Sequence, residues 1–178
     1  MAFASSLVNP LAPDSLRPGT ASLRSMSQDN VDVAKRFEEL MVPALDESDA
    51  QASEQRLEEI KAILDPDVVF YASPTIPHGG TYRGYDAFFK MGEQFRDLWD
   101  ISAGVELEYI DGGGDKVITL ARWTGVSKLT GKAVLVDMVE VLTIKDGRIK
   151  ELRAYYEDTV ALSEAADGAK GPYNPGLG

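Results

Sequence analysis

The chain has 178 residues, with 29 acidic against 18 basic side chains and a formal charge of −11. That balance repels phosphate backbones and anionic lipid, so neither nucleic acid nor a membrane surface is expected as a partner. Without cysteine and with a single histidine, the sequence excludes disulfides, thiolate metal sites and multi-histidine zinc sites. A carboxylate-only magnesium or calcium site is left open, but no D-x-D-x-D-G loop supports one, and no metal or other cofactor is expected.

The length suits one domain, and no apolar run is long enough to span a bilayer. Residues 1–28 are set apart by six serines and by Arg17 and Arg24 against one acid, Asp14. This composition reads either as a flexible arm, on a cytoplasmic protein, or as an organelle transit segment. From Asp29, Val33, Phe37, Leu40 and Met41 form one apolar helical stripe that Pro43 ends or kinks. A second amphipathic stretch follows from Ser53, the expected N-cap, with Leu57, Ile60, Ile63 and Leu64 on one side. Asp65-Pro66-Asp67 stops it, and the β-branched and aromatic run from Val68 to Ala72 predicts a strand.

The segment from Pro74 to Gly84 is punctuated by Pro74, Pro77, Gly79, Gly80 and Gly84 and holds His78. Such punctuation predicts an irregular crossing that displays the histidine at a junction between layers. A third helix is predicted from Tyr85 to Trp99, with Phe88, Phe89, Phe95, Leu98 and Trp99 on one broad face. Then the pattern changes to strand and turn. Runs from Val105 to Ile110, Lys116 to Ser127, Ala133 to Ile144 and Ile149 to Tyr156, joined by short glycine turns, predict an antiparallel meander. Thr159 to Ala166 reads as a short helix, and residues 164–178 as a Gly/Pro-rich tail. Helices first and strands last give an α+β class, with helices on one face of a curved sheet.

Over residues 30–162, this order of elements resembles the SnoaL-like branch of the nuclear transport factor 2-like superfamily. The crossing P-x-x-P-H-G-G-x-Y-x-G from Pro74 to Gly84 and the closing strand DGRIKELRAYYED carry the likeness. It implies a cone-shaped α+β barrel for residues 29–163, with three N-terminal helices on the concave face of a mostly antiparallel sheet. It also implies frequent homodimers through the outer sheet face. The superfamily holds polyketide cyclases, ketosteroid isomerases, dehydratases, epoxide hydrolases and non-enzymatic adaptors, so fold alone does not fix activity. In the limonene epoxide hydrolase branch, an Arg, an Asp two residues on and a last-strand Asp activate water. Here Arg122 matches the Arg, but Thr124 and Ala154 stand at the acid positions. The general base of ketosteroid isomerases, an acid before the crossing, is replaced by Ala72 and Ser73.

The remaining candidates come from strand alternation. If Arg122 and Thr124 face the pocket, then so do Val134, Val136, Met138 and Glu140, leaving Asp137 and Val139 outside. Glu140 is then an acid in an apolar row, which either pairs with Arg122 or keeps a proton. His78 has the pKa for proton transfer near neutrality. Tyr156 shares a face with Ala154, so its hydroxyl faces the pocket, while Tyr155 points away. The catalytic set is thus His78, Glu140, Arg122 and Tyr156. Phe70, Trp99, Trp123 and Met138 are expected to hold an apolar ligand, together with Asp158, for which a helix N-cap is the plainer role. Two functions remain open: a cofactor-free acid/base enzyme of cyclase, isomerase or dehydratase type on a small hydrophobic molecule, or a non-catalytic carrier or dimeric adaptor.

Overall fold

A computed structural model describes residues 19–44, 50–101 and 104–168. The arm over residues 1–18 and most of the expected tail, residues 169–178, lie outside the described residues, as does any targeting role for them.

Three helices precede most of the sheet: α1 (Gly19–Ala44), α2 (Ala50–Ile63) and α3 (Gly84–Leu98). The strands are β1 (Leu64–Ala72), β2 (Gly80–Arg83), β3 (Trp99–Asp100), β4 (Val105–Gly113), β5 (Lys116–Ser127), β6 (Ala133–Lys145) and β7 (Arg148–Tyr156), and α4 (Thr159–Ala165) follows. α1 begins ten residues before the expected Asp29. α2 begins at Ala50, so Ser53 lies within its first turn rather than ahead of it.

One seven-stranded sheet runs in the order β2-β1-β7-β6-β5-β3, with β4 also paired to β5. It curls into a half-barrel, and the helices lie against it. All neighbouring strands are antiparallel except β1 and β7. The β1–β7 register jumps between Leu64 and Val69, across Pro66, which has no N–H to give the ladder. The meander is cut where its glycines allow. Asp146 and Gly147, at φ 53° and 71°, form the two-residue loop between Lys145 and Arg148, the left-handed geometry that suits a tight hairpin.

The core lies between the helices and the inner face of the sheet. Phe37 and Leu40 of α1, Ile60 of α2 and Phe88 of α3 meet Phe70, Ala121, Trp123, Met138, Leu142 and Leu152 from the strands. Gly125 is required there because an added Cβ would lie 2.5 Å from the Trp123 ring. The crossing between β1 and β2 is folded tightly on itself: Ile76 donates to Ser73 O and Gly79 to Ile76 O. A Cβ at Gly79 would fall 1.7 Å from Ser73 O, so only glycine fits.

Candidate functional site

The inner faces of β5, β6 and β7, with α1 and α3, enclose a cavity of about 110 Å³. On β6 the expected phase holds: Val136 and Met138 are buried, Glu140 faces the cavity, and Asp137 lies on the other face. On β7, Leu152, Ala154 and Tyr156 point inward, and Tyr155 is 55% exposed on the outside.

The phase of β5 differs from the expectation. Ala121 pairs with Met138 and Arg122 with Asp137, so Ala121 and Trp123 face inward while Arg122 and Thr124 face out. Neighbouring strand residues cannot share a face, so Arg122 and Trp123 could never both have served the pocket. Arg122 instead makes a two-point ion pair with Asp137, at 2.7 and 3.1 Å, on the outer surface. The expected Arg122–Glu140 pair does not form.

The partner of Glu140 is another acid, Glu38 of α1, which the sequence reading missed. Glu38 is 7% exposed and lines the same cavity. The two side chains share a hydrogen bond. Burial, then the neighbouring Glu140, holds the Glu38 carboxyl well above the ordinary carboxylate range. Burial also raises Glu140, while the hydrogen bond from Glu38 favours its ionised form. Such a pair titrates as a unit, and after its first ionisation one carboxyl keeps a proton that faces the other's charge. The second oxygen, Glu38 Oε1, has no hydrogen-bond partner among the described residues. A sequence signal for Glu38 did exist: with Ala34, Phe37 and Met41 it sits on the inward stripe of α1, at spacings of four, one and three.

His78 is not displayed by the crossing but buried beneath it, at 1% exposure. Its Nε2 lies 3.0 Å from the Tyr156 hydroxyl, and its Nδ1 is 3.3 Å from Trp99 Nε1, which donates to it. Burial lowers its pKa to about 3, so the ring is neutral near pH 7. The loop carrying it is fixed from behind by Tyr82, whose hydroxyl donates to the carbonyls of His78 and Gly79. Tyr156 lines the cavity, and burial, with the Glu140 charge second, raises its phenol above the ordinary value.

Of the expected ligand-holding residues, Phe70, Trp123 and Met138 line the cavity beside Phe37, Phe88 and Phe95. Trp99 does not; it stands behind His78, edge-on to Trp123. Asp158 is also elsewhere, capping α4 by accepting from Val160 N and Ala161 N at 3.0 and 2.8 Å. Among the described residues no three His, Asp or Glu side chains converge as a metal site, and no helix is long and apolar enough to cross a membrane.

A curled sheet closed by helices around a small, mostly apolar chamber is the architecture of the nuclear transport factor 2-like proteins. The SnoaL-like domain matches residues 48–152, more than half of the sequence, and the chain belongs to that family. Solved structures agree on the fold. A nuclear transport factor 2-like protein from Burkholderia xenovorans superposes with a TM-score of 0.66 at 24% identity, covering 78% of this chain and 96% of that one. A protein proposed to be a SnoaL-like polyketide cyclase, from Mesorhizobium loti, gives 0.54 at 24% identity, covering 70% and 97%. TerC, co-crystallised with polyporic acid, gives 0.57 at 21% identity, covering 78% and 98%. No curated protein matches the sequence.

Proposed function

We propose that the chain is a cofactor-free acid/base catalyst acting on a small, mainly apolar molecule bound in the cone. The observation that carries this reading is the hydrogen-bonded pair Glu38 and Glu140 in the wall of an otherwise apolar and aromatic cavity. In such surroundings one carboxyl keeps its proton while the other, when ionised, is a base stronger than a solvated carboxylate. Glu140 takes a proton from a bound carbon acid, and Glu38 is placed to return one. Tyr156, on the same cavity, meets the oxyanion that develops when the proton leaves. This is the chemistry of isomerisation, dehydration and cyclisation.

Deuterium incorporation into a panel of single-ring carbon acids in D2O, followed by proton NMR, tests the assignment. Wild-type protein is expected to speed exchange for at least one compound, and Glu140→Gln to lower that rate by about a hundredfold or more. If Glu140→Gln and Glu38→Gln both exchange as wild type does, the acid/base reading is wrong.

The outer sheet face suggests that this unit works in pairs. A groove of about 740 Å³ there is lined by Leu120, Val139 and Tyr155 beside the Arg122–Asp137 pair. We infer a homodimer through this face, which leaves the cavity of each subunit intact.

A further inference from the structure

Trp99, His78 and Tyr156 form one line of hydrogen bonds that ends at the cavity. Trp99 Nε1 is 3.3 Å from His78 Nδ1, and His78 Nε2 is 3.0 Å from the Tyr156 hydroxyl. An indole N–H donates and never accepts, so His78 Nδ1 must present its lone pair to Trp99. The neutral imidazole therefore carries its proton on Nε2 and donates it to the Tyr156 oxygen. With both ring nitrogens engaged, His78 has no lone pair left with which to act as a base towards a ligand. The phenol oxygen receives the histidine proton, which leaves the phenolic proton for whatever lies against Tyr156. Tyr156 lines the cavity, so that proton is offered to a bound molecule.

We propose that the ligand is a neutral, single-ring carbonyl compound whose oxygen accepts from Tyr156, with His78 and Trp99 as the positioning residues that make this tyrosine a donor. Three features set the class. The cavity, at about 110 Å³, is smaller than the roughly 150 Å³ apolar cavity that takes up benzene, so no more than one ring fits without rearrangement. Phe37, Phe70, Phe88 and Trp123 supply apolar walls. Among the described residues no lysine or arginine lines it, and Glu38 and Glu140 do, so a carboxylate or phosphate on the ligand is unfavourable. The inference rests on the reading of this cavity as the ligand site, and it adds the group that is recognised and the residues that set its direction.

Binding of three matched probes to the full chain, followed by NMR titration, tests it: cyclohexanone, methylenecyclohexane with a CH2 in place of the oxygen, and cyclohexylammonium. Cyclohexanone is expected to bind about fivefold to tenfold tighter than methylenecyclohexane, the size of one neutral hydrogen bond. Tyr156→Phe, which removes only the hydroxyl, is expected to erase that preference, and Trp99→Phe to weaken it. In the wild-type protein, the ¹⁵N shifts of His78 are expected to show a protonated Nε2 and an unprotonated Nδ1, a signature that needs no variant to fold. A proton on Nδ1, equal binding of the two neutral probes, or tightest binding of cyclohexylammonium each overturns the proposal. Because the comparison requires no turnover, its outcome is independent of the deuterium-exchange test of Glu140.

Discussion

A carboxyl that keeps its proton in the folded chain and loses it in the unfolded one makes stability fall as pH rises. Glu38 and Glu140 are both raised from the ordinary value of 4.5, mainly by burial. The stability tied to them is complete below the unfolded-state value of about 4.3 and is lost as pH climbs through the raised folded values. We predict that raising the pH above the ordinary carboxylate range lowers the melting temperature of the wild type more than that of Glu38→Gln, both read by calorimetry. His78 works in the opposite direction. Its pKa is depressed by burial from 6.5 to about 3, so the stability linked to it is present above pH 6.5 and lost as pH falls towards 3. Its ring is expected to remain neutral at pH 5 by NMR. Glu38 was easily missed because Glu38 and Glu39 stand side by side in a charged helix, and the helical phase alone separates the buried one from the exposed one. Gly125 offers a test of packing: Gly125→Ala places a methyl against Trp123 and is expected to cost about 1–3 kcal/mol in urea unfolding.

At the scale of elements, short motifs predicted local geometry well where backbone chemistry is decisive. The Asp146-Gly147 hairpin needs two left-handed residues in a row, and few other pairs supply them. The phase of β5 was not readable in the same way. Ile118 and Leu120 on one face are as apolar as Val117 and Ala121 on the other, so hydrophobic contrast does not say which side is inside. The Trp123 side wins because its large ring fills the chamber and Arg122 keeps its charge in water. The His78 loop was recognised as irregular, but its depth depends on the turn that Gly79 allows and on Trp99, twenty-one residues away. One substitution separates scaffold from site. Asp158→Ala removes the α4 cap and is expected to cost about 1 kcal/mol of stability without altering ligand preference, as measured by denaturation and the probe titration together.

For the whole molecule, the proposed dimer gives the most direct measurement. Light scattering on the eluted protein is expected to return about twice the 19.4 kDa of one chain. Val139→Arg places a second cation beside Arg122 on the outer face and is expected to yield the monomer while probe binding persists. A monomeric wild type would leave the outer groove without its partner. The layered order of helices and meander was legible at this scale because each glycine turn marks a strand end. The closing of the curved sheet into a cone was expected only through the family likeness.

The position of β7 sets an order for assembly during synthesis. β1 and β2 are made early, yet β1 finds its inner neighbour only in residues 148–156, so the first half of the sheet cannot join the second until nearly the whole domain has been translated. Contacts this distant in sequence slow folding and leave the apolar faces of the early elements uncovered in the nascent chain. The strand that ends this interval also delivers Tyr156, so the growing polypeptide acquires its inner chamber and its joined sheet in the same event.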